Sequence, residues 1–131
     1  MIQKGSRIKV VDNSGAKIIS CISVPKGYKR RYASSGDIIV ASVKALRNKF
    51  KKKSKVKKGD IICAIIIRLI NPIFNKTGTL GFKSNSAVLL NRQNKIKFIG
   101  TRIFGGIPKA VAIQKHLSTL KLVTLSAGIL R

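Results

Sequence analysis

Nine cations fall within residues 44–58: Lys44, Arg47, Lys49, Lys51, Lys52, Lys53, Lys55, Lys57 and Lys58. No acid lies among them. A run of charge is usually a solvated loop, but here nothing inside it offers neutralisation, and phosphate is the chemistry it suits. Lysine meets phosphate as a point charge, so it holds a nucleic-acid backbone without reading its bases. A second cluster, Lys26-Gly27-Tyr28-Lys29-Arg30-Arg31-Tyr32, interleaves cations with two of the seven aromatics. An arginine fork can grip phosphate bidentately, and a tyrosine ring can stack on an unpaired base. For the tyrosines alone the plainer reading is favoured, with their ring faces packed on the protein itself. A third stretch, Gly100-Thr101-Arg102-Ile103-Phe104-Gly105-Gly106, lacks the Gly-Lys-Ser/Thr ending of a nucleotide phosphate loop. It reads as a tight turn in which Ile99, Ile103 and Phe104 anchor the backbone and leave Thr101 and Arg102 outward.

The acids exclude much else. The chain has 131 residues, 28 Lys plus Arg against 3 Asp plus Glu, and a net charge of +25. There is no glutamate, and Asp12, Asp37 and Asp60 lie 23 or more positions apart. Two converging carboxylates or a cluster of metal-binding acids are therefore not expected, and no enzymatic activity is assigned. Asp12-Asn13-Ser14-Gly15 is a turn by composition, with no base or nucleophile beside it. His116 is the only histidine, and Cys21 and Cys63 each stand alone in an apolar run, so no zinc site and no cofactor are expected. Both thiols read as buried and reduced. The longest apolar run, residues 61–67, is far short of the roughly 20 residues of a spanning helix, and no membrane partner is expected. The first residues lack an apolar signal core and a transit-type pattern, so the chain is read as starting in its final compartment or after removal of a presequence.

What must carry these residues is mostly strand. Arg7-Ile8-Lys9-Val10-Val11 and Ser20-Cys21-Ile22-Ser23-Val24 alternate in polarity. Gly36-Asp37 and Gly59-Asp60 each precede a β-branched run, which reads as a turn leading into a strand. A fifth strand is expected at residues 87–90, after the Gly/Asn/Ser-rich stretch 75–86. Five short strands with glycine turns predict a small closed barrel, because closure removes bare edges. The nine-cation segment joins two strands and is expected to project as an arm or hairpin. Residues 110–117 can be helical, with Pro108 near the start, and residues 120–125 are ambiguous between helix and strand. No linker divides the chain, so residues 1–131 form one domain.

Several of these segments together resemble the universal large-subunit ribosomal protein fourteen family. They are Asp12-Asn13-Ser14-Gly15-Ala16, Arg31-Tyr32-Ala33 with Gly36-Asp37-Ile38-Ile39, Lys55-Val56-Lys57-Lys58-Gly59-Asp60, Ala87-Val88-Leu89-Leu90-Asn91, and Ile99-Gly100-Thr101-Arg102-Ile103-Phe104-Gly105. They occur in the family's order and near its spacings, across essentially the whole chain. The resemblance implies a five-stranded β-barrel with a projecting β-ribbon and short C-terminal helices. It implies a structural protein that binds large-subunit ribosomal RNA, meets small-subunit ribosomal RNA at an inter-subunit bridge, and neighbours ribosomal proteins three and nineteen. It also implies a face, here Thr101, Arg102 and Lys121, able to take a ribosome-silencing factor.

The departures are informative. Phe74 and Asn75 stand where the family has an arginine pair before Lys76-Thr77-Gly78, which weakens the case for RNA contacts by the ribbon. The family's acid-containing segment after Phe-Gly is Gly106-Ile107-Pro108-Lys109-Ala110-Val111 here, and its Pro-Glu ending is Ala127-Gly128. The chain holds 20 Ile, 20 Lys and 7 Asn, all with A/T-rich codons. With a family-like N-terminus, this fits a gene in an A/T-rich organelle genome and a mitochondrial ribosome in the matrix. The bacterial cytoplasm is the second choice and the plastid the third. Rival readings are a free RNA-binding regulator off the ribosome and a cationic membrane-active protein. The latter needs its charge on an amphipathic helix, not between strands.

Overall fold

Alternation in β1 (Arg7–Val10) sends Ile8 and Val10 inward and Arg7 and Lys9 to solvent. The computed structural model describes residues 1–25, 27–50, 52–113 and 117–130, and the expectations for Lys26, Lys51 and His116 lie outside them. β1 pairs antiparallel with β2 (Ala16–Ser23), which pairs with β3 (Ile38–Leu46), which pairs with β4 (Ile61–Arg68). β5 (Ile73–Asn75) and β6 (Gly78–Leu80) form a separate two-stranded ribbon. β7 (Ser86–Leu90) then pairs antiparallel with β4 and parallel with β1, closing a five-stranded barrel. The expected barrel, its five strands and its ribbon are all present. Gly36 and Gly59, before β3 and β4, hold φ of 87° and 93°, a region open to glycine.

The unbroken apolar run in β4 has a clear cause. Ile62, Ala64 and Ile66 fill the barrel with Ala87 and Leu89 of β7. Cys63, Ile65 and Ile67 point the other way, with Val88 and Leu90, into a second core outside the barrel. That outer core is covered by β8 (Ile107–Pro108), α1 (Lys109–Ile113) and α2 (Leu117–Leu125), through Ile107, Val111 and Leu122. A strand buried on both faces cannot alternate. The ambiguous segment at 120–125 is therefore helical, since it must lay Leu122 on a sheet already paired on both sides of β4. A short strand β9 (Ile129–Leu130) returns parallel to β8, a pairing the sequence does not announce. Cys21 and Cys63 are buried free thiols. Burial pushes the Cys21 thiol pKa up, with Lys4 opposing, so the thiol stays protonated and inert.

Candidate RNA-binding surface

The segment between β3 and β4 is basic, yet it is no free arm. Its two ends are drawn back to the Asp12–Ala16 turn: Arg47 N–H donates to Gly15 O (2.9 Å) and Lys55 N–H to Ser14 O (2.9 Å). A single 3-10 turn, Asn48–Phe50, follows β3, and Val56 is buried. The expectation of a projecting arm is corrected accordingly; the element that stands off the barrel is the β5–β6 ribbon. Within the tethered loop Lys49, Lys52, Lys53, Lys55, Lys57 and Lys58 are exposed, and Lys44 is exposed near the end of β3. Arg47 and Lys55 have structural duties as well. Arg47 donates to Val10 O (2.8 Å), and Lys55 Nζ donates to Ile99 O (3.1 Å).

The Lys55 bond joins the basic loop to the glycine-bounded turn. That turn is held by Asn13, whose Oδ1 accepts from Thr101 N–H (2.7 Å) and Arg102 N–H (3.3 Å) while its Nδ2 donates to Thr101 Oγ1 (2.7 Å). Gly100 permits the approach, because a methyl there would stand 2.9 Å from Asn13 Oδ1 and 2.9 Å from Asp12 Cβ. Ile103 is buried and Thr101 and Arg102 are outward, as expected. Phe104 is not an anchor. It is 37% exposed, and its ring lies 5.2 Å from the Arg47 guanidinium and 5.7 Å from that of Arg102. The loop and the turn thus share one aromatic platform, with cations held over it. α2 abuts the same turn, since Ile103 N–H donates to Leu125 O (3.1 Å), and Lys121 lies exposed one helical turn earlier.

The cluster at residues 26–32 is built at the other end of β3. Nine residues at about 3.3 Å each put roughly 30 Å between the two patches. Lys29, Arg30 and Arg31 line a groove there with Gln3 and Lys4. Arg30 is committed inward. Its Nε donates to Tyr32 O (3.0 Å) and a terminal nitrogen pairs with buried Asp37. Lys29 and Arg31 remain outward. The tyrosines do not pack on the barrel as favoured: Tyr28 is 90% and Tyr32 50% exposed. The loop is held instead by the Arg30–Asp37 pair and by the Ile2–Ala33 bridge, which frees both rings.

All three aspartates do structural work. Asp37 Oδ2 accepts from Ser34 N–H (2.9 Å) and Ser34 Oγ–H (3.0 Å), and Asp60 Oδ2 accepts from Lys57 N–H (2.7 Å). Both are turn residues ahead of strands, as expected, but the charge matters only at Asp37. Asp60→Asn keeps an acceptor at an exposed site and should change stability by less than about 0.5 kcal/mol. Asp37→Asn strips a buried carboxylate from Arg30 and should cost about 1–2 kcal/mol, screened in part because Arg30 is 32% exposed. Urea midpoints of the two variants test this, and equal midpoints would contradict the assignment.

Two further residues carry the site and were not singled out from sequence. Asn13 reads only as part of a turn, and Arg68, just past the apolar run 61–67, has no reading of its own there. Arg68 Nε donates to Gly106 O (3.0 Å) and a terminal nitrogen to Phe104 O, so it stitches β4 to the turn after Phe104. Burial lowers its pKa. Among the described residues, no group of three or more His, Cys, Asp or Glu could hold a metal, and no helix is long and apolar enough to cross a membrane.

The described surface offers exposed cations at both ends of the barrel. A model of the family described as ribosomal protein L14p/L23e matches residues 1–127 of this sequence. The chain belongs to the ribosomal protein L14p/L23e family, whose members are structural, non-enzymatic proteins of the large ribosomal subunit.

Proposed function

We propose that this protein binds large-subunit ribosomal RNA through the exposed cations of the β3–β4 loop and through Lys29 and Arg31, with Arg30 fixing the latter loop. One observation carries the reading. Six lysines of the β3–β4 loop are outward, while Asp12 and Asp37 are buried and only Asp60 of the three aspartates reaches the surface. The protein cannot neutralise these lysines itself, and RNA phosphate does so with release of counterions. The turn bearing Thr101 and Arg102, with Lys121, meets small-subunit ribosomal RNA at a bridge. Ribosomal proteins three and nineteen and a ribosome-silencing factor are the protein partners that family resemblance supports. The abundance of Ile, Lys and Asn supports a gene in an A/T-rich organelle genome and a mitochondrial ribosome.

The test replaces Lys49, Lys52 and Lys53 with Gln and measures binding to large-subunit ribosomal RNA across a salt series. Three lost phosphate contacts lower the slope of log K against log salt by about 2 to 3. An unchanged slope removes this loop from the account.

A further inference from the structure

The end of β4 and the start of the β3–β4 loop, with β1 and β2, frame a groove that shares Arg47 and its neighbours Leu46 and Asn48 with the charge run and otherwise draws on residues outside it. Its volume is about 530 Å³, inside the range of about 300–1,000 Å³ typical of small-ligand clefts. Four cations from four chain segments converge on it: Lys9 of β1, Lys17 of β2, Arg47 of the loop and Arg68 at the end of β4. None of the three aspartates lines it. Between the cations the wall is apolar, with Ile18 and Leu46, and Asn48 and Ser84 add polar groups.

The two arginines are preorganised. Arg47 is held by Val10 O (2.8 Å) and Arg68 by Gly106 O (3.0 Å), so neither has to be ordered when a ligand arrives. Their partners are neutral carbonyls, which leave both positive charges uncompensated. Lys9 and Lys17 stand exposed on adjacent paired strands, where Lys9 is opposite Ile18. A purely electrostatic contact would need no apolar floor. A ligand that joins phosphate to a flat apolar face uses both features, and an acidic peptide offers only the charge.

We propose that this groove takes one unpaired RNA nucleotide, with its phosphate among Lys9, Lys17, Arg47 and Arg68 and its base against Ile18 and Leu46. The assignment rests on the RNA-binding reading above and adds to it a site that selects single-stranded RNA. The loop lysines grip backbone of any form, whereas this groove requires a base out of its stack.

The experiment compares binding of the full chain to a short oligouridylate and to an RNA duplex of equal total charge. Charge density alone favours the duplex. The groove predicts the reverse, with the oligouridylate bound about tenfold tighter. Lys9→Gln with Lys17→Gln abolishes that preference, while Lys52→Gln with Lys53→Gln weakens both RNAs alike. A thiouridine-substituted oligomer crosslinks to the β2 peptide containing Ile18 in the unmodified protein. The proposal is overturned if the duplex binds as well as the single strand, if the preference survives loss of Lys9 and Lys17, or if a glutamate-rich peptide displaces the oligouridylate equally well. Loss of the single-strand preference alone leaves the RNA-binding reading standing. Failure of the unmodified chain to bind either RNA removes both.

Discussion

Asp12→Leu is expected to lower the free energy of unfolding by about 3–5 kcal/mol, a large share of the roughly 5–15 kcal/mol that holds a domain. Asp12 is fully buried. Its Oδ1 accepts from Ser14 N–H (3.0 Å) and from the Ser14 hydroxyl, and its Oδ2 accepts from Leu89 N–H (2.9 Å). The last bond crosses from the turn after β1 to β7, next to the parallel pairing that closes the barrel. Leucine keeps the branched outline, is bulkier, and has no acceptor. Two buried amides and a hydroxyl would lose their partner, and each orphaned group costs about 1–3 kcal/mol. Hydrogen exchange at Leu89 should accelerate along with the fall in urea midpoint. Wild-type stability in the variant would show that the barrel closes without this carboxylate.

The second large effect is expected at the turn. Arg102→Ala should leave large-subunit assembly intact and weaken joining to small subunits by about tenfold, the scale of one charge-assisted phosphate contact. Asn13 clamps the backbone on either side of the Thr101–Arg102 peptide, and the Phe104 ring lies under the Arg102 guanidinium. A side chain so placed loses little freedom on meeting phosphate, and its planar fork suits that partner. Sucrose-gradient profiles of mutant large subunits mixed with small subunits give the answer. Normal joining together with failed assembly would move Arg102 to the surface that anchors large-subunit RNA.

Much of this architecture is legible in local pattern. Alternation places β1 and β2, and the two Gly-Asp pairs mark where β3 and β4 begin. What local pattern cannot carry is pairing over distance. Asp12 reads as an ordinary turn acid, because its partner Leu89 is 77 residues away. The run Ile61–Ile67 reads as a buried strand, but nothing in it says that its outer face awaits Leu122 and Val111. Charge density marks the β3–β4 loop correctly as a cationic surface and misplaces its shape. The bonds that tether it run from backbone N–H groups, which composition does not reveal. The tyrosines fail for a related reason: whether a ring packs depends on what else holds its loop, and here the half-buried Arg30–Asp37 ion pair does so. The groove at Lys9, Lys17, Arg47 and Arg68 is scattered across 60 positions of sequence and exists only in the closed barrel.

On the proposed reading, uncompensated loop lysines hold this protein to large-subunit RNA. Co-sedimentation with purified large subunits through washes of rising salt tests it most directly. The unmodified chain should stay with the subunits through a high-salt wash, and the Lys49, Lys52 and Lys53 to Gln variant should leave at distinctly lower salt. Release of both proteins at the same salt, or sedimentation of the unmodified chain apart from large subunits, would contradict the account.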